Sequence, residues 1–291
     1  MLTIFTPTYN RYHLIDNLYQ SLLVQTNHNF EWLVIDDGST DDTEAYFQNL
    51  LKQQHPFEIR YVRQPNGGKH RAINKGVGLA QGELFFIVDS DDYLTPDAVS
   101  KVYQWKDSLD GSKKWAGLAG LKGFSVDKHV GGRHSKNFID AKNNERHQLN
   151  LEGDKAEVYF TSVLKKYPFP EFEGEKFISE EIVWNAIARD DYYLRWFNEI
   201  IYICEYLEGG LTKDYSKYRK NPLGALAWAK GQIKTYPQSK KKQALAIGIY
   251  TDALKQQKSF YQISKDLNKS VVFTIFSFLA LKFYYILHHD S

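Results

Sequence analysis

The 291-residue sequence predicts an α/β fold, with a mostly parallel sheet, helices on both faces and a helical extension at the C-terminal end. Three features predict it. Short apolar runs alternate with amphipathic segments through the first hundred or so residues, the pattern of successive βα units. Each of the first four runs ends in a polar cluster: TPTYN, DDGS, NGGK and DSDD. From Leu223 onward the apolar spacing is helical throughout.

Leu2–Thr6 is the first strand, and TPTYNR supplies turn and cap formers before a helix carrying Leu14, Ile15, Leu18, Leu22 and Leu23. Glu31–Asp37 repeats the strand, DGSTDDT the turn and cap, and Ala45, Phe47, Leu50 and Leu51 mark a second helix. Phe57–Val62 is a third strand; Gly67 and Gly68 then open a helix with Ala72, Ile73, Val77 and Leu79. Leu84–Val88 is a fourth strand, ending in three carboxylates before Pro96 permits a helix to about Asp110. Trp115–Leu121 and Glu157–Leu164 read as strands, while Lys122–Lys155 is polar, Gly-rich and without assigned elements, a length usual for binding loops. A helix is expected from Ser179, then one or two strands within Leu194–Leu207. Helices are expected over Leu223–Thr235, Lys240–Gln257, Phe260–Leu267 and Ser270–His288.

A hydrophobic content of 43% supports a real core and excludes a disordered chain. The single cysteine, Cys204, sits in the apolar run IIYICEYL, which excludes an intrachain disulfide or a Cys-based zinc site and fits a reducing cytoplasm. MLTIFTPTYN has the form of a strand entering a turn, so no export signal is expected. The net charge of +2 conceals an asymmetry: residues 206–291 hold 14 Lys and Arg against 5 Asp and Glu, and residues 1–205 hold 23 against 30.

In an open, mostly parallel sheet, ligands bind beyond the carboxyl ends of the strands, so one crevice is expected to collect all four clusters. Side chains two apart on a strand share a face, which aims Asp89 and Asp91 together. Hard oxygen donors there suit Mg²⁺ or Mn²⁺ holding phosphates, although Asp and Ser after a strand also serve as turn and cap residues.

TPTYNR at 6–11, WLVIDDGSTDDT at 32–43, NGGKHRAINKG at 66–76, FFIVDSDDYLTPD at 85–97 and SEE at 179–181 resemble, in order and spacing, the family-2 inverting glycosyltransferases of the GT-A fold. The resemblance covers roughly residues 1–210. It implies a catalytic domain there, with residues 1–100 as the nucleotide-sugar half and 101–210 as the acceptor-side half, and 211–291 as a basic helical region. It implies a nucleotide-diphosphate sugar donor, UDP-linked by first expectation, with Mn²⁺ or Mg²⁺ and a hydroxyl acceptor on a glycan or lipid carrier, in cell-surface polysaccharide synthesis. Pro7, Tyr9 and Asn10 map to residues framing the nucleoside, Asp37 to the nucleobase contact, and Asp36 to a more structural role. Gly67 and Gly68 map to close backbone approach, with Lys69 or Arg71 toward phosphate. Asp91 maps to the metal, Asp89 to ribose or metal, Ser90 to the donor-binding residues, and Asp92 to orienting its neighbours. Glu181, with Glu180 as the alternative, maps to the base that deprotonates the acceptor, one methylene longer than the family's usual Asp. EYLEGGLTKD at 205–214 is similar to a late family segment that folds toward the diphosphate, with Lys213 or a nearby side chain as the contact. His129 and His134 remain candidates for acceptor contact or solvated loop residues, and Trp115 and Trp184 for sugar stacking or core.

Two other classes compete. A sugar-phosphate nucleotidyltransferase also uses a sheet, metal and carboxylates, but calls for a GxGxR-type loop that TPTYNR lacks. A catalytically inactive nucleotide-sugar-binding module would not need Glu181. No nucleic-acid partner is expected. VVFTIFSFLALKFYYIL at 271–287 is short for a membrane span and interrupted by Lys282, so 240–287 is expected to lie in the plane of a membrane's cytoplasmic face, or else to pack on the catalytic domain or in a homo-oligomer.

Overall fold

The computed structural model describes residues 1–204 and 216–288. The chain forms two compact units: Met1–Pro168 with Ile187–Leu207, and Phe169–Ala186 with Glu208–Ser291.

The first unit is built on β1 (Leu2–Thr8), β2 (Phe30–Asp36), β3 (Glu58–Arg63) and β4 (Leu84–Ile87), with α1 (Tyr12–Leu23), α2 (Thr43–Leu50) and α3 (Lys69–Leu79) between them. β5 (Tyr93–Leu94), α4 (Ala98–Asp107), β6 (Trp115–Gly123), β7 (Phe138–Ala141), β8 (Lys155–Phe160), a one-turn α5 (Thr161–Leu164) and β9 (Tyr193–Ile203) follow, while α6 (Glu181–Arg189) has its first six residues in the second unit. The sheet order is β3-β2-β1-β4-β8-β6-β9-β5, with β7 on β9. Every residue of β1 and β2 is buried, which explains why they show no apolar-to-charged alternation: a strand covered on both faces has no solvent side to alternate toward. Glu31, a buried charge in β2, accepts hydrogen bonds from Thr3 Oγ1 (2.6 Å), Arg60 Nη1 (2.8 Å) and the Gln81 amide (2.7 Å), so its burial leaves neither oxygen without a donor.

The parallel expectation holds through β3-β2-β1-β4 and for β6 on β9. The other half is mixed: β8 runs antiparallel to both β4 and β6, and β5 and β7 antiparallel to β9. The run expected as a strand over Glu157–Leu164 splits at Phe160, where Thr161 turns the chain into α5 and donates from Oγ1 to Gly82 O. The stretch between Lys122 and Lys155 holds β7 and a 3₁₀ turn over Asn143–Gln148.

β7 is fastened to β9 by charge. Arg195 donates to both Asp140 oxygens (2.7 and 2.9 Å) and to Ser108 O (2.6 Å), its guanidinium lies 4.2 Å from the Phe138 ring centre, and Lys113 reaches Asp140 at 3.2 Å. Burial would raise the Asp140 pKa; the Arg195 and Lys113 partners outweigh it and hold it below the usual carboxylate value. A depressed folded-state pKa gives stability that is complete above the unfolded value of about 3.9 and is lost as pH falls through the folded one. Asp140→Asn, which strands a buried guanidinium, is expected to cost about 3 kcal/mol in urea unfolding at pH 7 and less at pH 3. An equal cost at both pH values would refute the electrostatic account.

In the second unit, α7 (Ser216–Lys220), α8 (Pro222–Thr235), α9 (Lys240–Leu254), α10 (Phe260–Leu267) and α11 (Val271–His288) join Phe169–Ala186. Its core includes Trp228, Ala229, Ile247, Tyr250, Leu254 and Ile263. The buried Glu175 ties the two segments together: its oxygens accept from the Leu223 and Gly224 amides, each at 2.7 Å, satisfying orphan donors at the N-terminus of α8 where a negative charge is favoured.

Candidate active site

The register of the parallel strands sets the site. Leu2 pairs with Phe30 and Leu84, so β1, β2 and β4 end near one level, and Tyr9–Arg11, Asp37–Ser39 and Val88–Asp92 leave from one edge. Asn10 adopts a left-handed φ of 53°; its amide donates to Ser39 Oγ (2.9 Å) and its Oδ1 accepts from the Thr40 amide (2.8 Å). The two strand-end loops are therefore stitched together, with Pro7 buried in β1 and Tyr9 exposed beside them. Thr8, at the end of β1, has a buried hydroxyl without a hydrogen-bond partner.

Asp37 organises the next loop. Its Oδ1 accepts from the Gly67 amide (2.9 Å) and Gln64 Nε2 (2.8 Å), and its Oδ2 from the Gly68 amide (2.7 Å). Asn66 Nδ2 returns to Asp37 O at 2.9 Å. Gly68, at φ 95°, turns the chain into α3. Gly38, at φ 82°, lets the loops approach: a Cβ there would lie 2.8 Å from the Asn66 amide nitrogen. Asp36 is fully buried, accepting from the Ser39 amide (2.8 Å) and Tyr61 Oη (2.5 Å), a structural position.

Beyond β4, the DSDD turn ends in β5, which pairs with β9 and so carries Asp92 to Tyr202. Tyr202 Oη donates to Asp92 Oδ2 (2.6 Å) and accepts from the Asp89 amide (2.9 Å). Lys122, opposite Tyr202 in the β6–β9 ladder, places Nζ 3.9 Å from that ring's centre and 4.0 Å from Asp92 Oδ2. Lys69 Nζ, on the first residue of α3, meets Asp89 Oδ1 at 2.7 Å, and Arg11 Nε lies 3.9 Å from Asp91 Oδ2. Ser90 is buried in the turn. Burial pushes the Asp92 carboxyl up to about 7, with Asp89 and Asp91 adding to the effect and Lys122 and the Tyr202 hydroxyl opposing it. Burial alone would raise Asp89 as well, but Lys69 and Lys122 outweigh it and keep that carboxyl below its ordinary value. Burial would lower Lys122; Asp89 and Asp92 hold it above its ordinary value, so it stays charged. Lys122 and Tyr202 are site neighbours that sequence patterns did not single out. The one local signal was a lone Lys closing the apolar strand WAGLAGLKG.

A divalent cation needs hard oxygen donors that converge. Among the described residues, no three His, Cys, Asp or Glu side chains converge on one point. Mg²⁺-type ions are commonly held by one or two carboxylates with substrate phosphates supplying further oxygens, and Asp91 with Asp89 meets that requirement in number and hardness.

Glu181 opens α6 in the helical unit, and Glu180 lies in the turn just before it. Glu181 Oε2 accepts from Trp228 Nε1 and Gln232 Nε2 of α8, each at 2.7 Å. Trp184 is core, edge-on to Phe169, and Trp115 is pinned through Nε1 to Asp110 O with Arg195 over its ring. His134 is buried, with Nε2 3.0 Å from Trp196 O. It and His129 line an open cavity of about 780 Å³ with Arg133, Lys136 and Asn198, which shares no lining residue with the carboxylate cluster. Lys213 and the EYLEGGLTKD segment lie outside the described residues.

A parallel βα half-sheet continued by mixed strands, with its acidic turn beyond the fourth strand, defines the GT-A class. Solved structures agree on the fold. Staphylococcus aureus TarS 1–349 in complex with UDP-GlcNAc superposes with a TM-score of 0.60 at 20% identity, covering 87% of this chain and 81% of that one. The mannosyltransferase PcManGT from Pyrobaculum calidifontis, in complex with GDP-Man and Mn²⁺, gives 0.56 at 15% identity, covering 96% and 86%. Residues 3–112 match the model of glycosyl transferase family 2. Glycosyltransferase GlyG of Streptococcus pneumoniae serotype 4 is 32% identical over 105 residues, 36% of this chain and 34% of GlyG. Chondroitin synthase of Pasteurella multocida is 39% identical over 99 residues, 34% of this chain and 10% of the synthase. The match thus spans about a third of the first relative's length and a tenth of the second's.

Proposed function

We propose that the chain is an inverting glycosyltransferase that moves a sugar from a nucleotide diphosphate, UDP by first choice, to a hydroxyl of a glycan or lipid-linked acceptor in cell-surface polysaccharide synthesis. The observation that carries this reading is the gathering of TPTYN, DDGS, NGGK and DSDD at one sheet edge, with the Asp37 carboxylate clamping the NGG turn. The chemistry printed for similar proteins supports it: UDP-GlcNAc on TarS, GDP-Man with Mn²⁺ on the mannosyltransferase.

In this reading Tyr9 and the unpartnered Thr8 hydroxyl border the nucleoside, with Pro7, Asn10 and Asp37 fixing the loops around it. Lys69, at a helix N-terminus, attracts the diphosphate. Asp91 and Asp89 would hold Mn²⁺ or Mg²⁺, which when bound would offset negative charge on the departing diphosphate. Lys122 and Tyr202 fix Asp92 and through it the turn that aims Asp91. Glu181, or Glu180 in its place, removes the acceptor proton as that oxygen displaces the diphosphate, and one displacement inverts the anomeric centre. We place this activity in the cytoplasm.

A thermal-shift panel of UDP-, GDP- and dTDP-sugars with and without Mn²⁺ is the test. The cognate nucleotide, at about 100 times its dissociation constant, stabilises by about 2.7 kcal/mol. No metal-dependent shift with any of them would overturn the proposal.

A further inference from the structure

α11 is packed inside out. The side chains it buries in the helical unit are Thr274, Ser277 and Leu281, at 0% to 4% exposure. On the opposite face Val272, Phe276, Leu279, Phe283 and Ile286 are 58% to 78% exposed. Their spacing of four and three residues makes them one stripe along the helix. The close seam has a local cause: Gly248 of α9 faces α11 so tightly that a Cβ would lie 2.7 Å from Ser277 O and 3.0 Å from Leu281 Cβ. Thr274 and Ser277 hide their hydroxyls by donating to Ser270 O and Phe273 O of their own helix. Small residues inward and large apolar ones outward is the arrangement of helices whose outer face meets hydrocarbon, where only the close seam favours association. An exposed apolar stripe of this extent marks an interaction surface.

Charge decides the occupant. Residues 216–288 hold thirteen Lys and Arg against two Asp and no Glu. Both Asp are already paired: Asp252 with Lys255 (3.4 Å) and Lys282 (2.7 Å), Asp266 with Lys258 (2.6 Å). Lysines border the stripe at its start and midway along it. Lys269 reaches Gln243 Oε1 at 2.9 Å, which sets the Lys240–Lys242 run beside the start of α11, and Lys255 lies 4.5 Å from the ring centre of Phe278 further along. A second copy would bring an equally positive face against this one, whereas an anionic surface neutralises it. No helix among the described residues is long and apolar enough to cross a bilayer.

We infer that α11 lies in the plane of an anionic lipid surface, with the Val272–Ile286 stripe in the acyl boundary and the bordering lysines at the headgroups. Each lysine near such a surface and each buried CH₂ adds to the affinity. The inference stands apart from the transfer reaction and is tested without it. The full chain is floated with vesicles of three parts phosphatidylcholine to one part phosphatidylglycerol and with pure phosphatidylcholine. It is expected to float with the anionic vesicles at low salt, and much less in high salt or with the neutral ones. F276S/F283S, on side chains already facing solvent, is expected to keep its circular dichroism and lower partitioning by at least about tenfold. K240E/K241E is expected to weaken binding to the anionic vesicles alone. The inference is overturned if the full chain stays at the bottom with anionic vesicles, or if the Phe double variant floats as the parent does. It is equally overturned if light scattering shows a dimer that the double variant dissolves while neither protein floats.

Discussion

Asp91→Asn is expected to remove the gain in UDP affinity that Mn²⁺ confers and to lower transfer by about 10²–10³-fold, the loss typical when one electrostatic stabiliser of a transition state goes. The substitution keeps the side chain's shape while removing its charge and one hard anionic oxygen. Its cost to the fold is small, because the carboxylate is part-exposed and its nearest cation is Arg11 at 3.9 Å. Calorimetric titration of UDP with and without Mn²⁺ checks this independently of turnover. Unchanged metal-dependent affinity would move the metal away from Asp91. Asp92→Asn is the contrasting control. It sits against Tyr202 and Lys122, so its replacement loosens the turn and is expected to lower stability together with affinity.

The half of the fold that was legible in the sequence is the half covered on both faces. β1, β2 and β4 are runs of buried residues ended by polar loops, and such runs stand out from the amphipathic helices between them. β5 and β7 lacked that contrast. β5 is two residues long, and β7, with the sequence FIDA, is held by an ion pair to β9 from 55 residues away. The antiparallel entry of β8 depends on pairing partners that no local pattern names.

The site divides in the same way. The convergence of the loops follows from parallel topology, but β4 ends at Ile87, so Asp89 and Asp91 lie in the turn beyond it and the period of two expected of a strand does not apply to them. That Asp37 clamps Gly67 and Gly68 is a contact across 30 residues, so each motif read alone gave a cap or a flexible turn. Lys122 meets Tyr202 only through a β6–β9 register shifted by irregularities between Ala119 and Lys122. On α11 the apolar density was plain, but the identity of its buried face was set by Gly248 on another helix.

Glu181→Gln is expected to leave UDP binding intact and lower kcat by about 10²–10⁴-fold, the usual range for losing a general base. Trp228 and Gln232 both donate to Oε2, which fixes the side chain's direction from two sides. Glutamine can offer its carbonyl oxygen to the same two donors, so the geometry survives and the lost function is basicity. Glu180→Gln is expected to change kcat only several-fold. Full loss in Glu180→Gln with a mild effect in Glu181→Gln would reverse the two roles. A third outcome is separable. If the Trp228 and Gln232 bonds are the whole purpose of Glu181, Glu181→Ala will cost about 1–3 kcal/mol in urea unfolding by leaving those donors unsatisfied, while Glu181→Gln turns over at the parent rate. Measuring kcat, UDP affinity and the urea midpoint on the same three variants therefore distinguishes a base at 181, a base at 180 and a purely structural carboxylate.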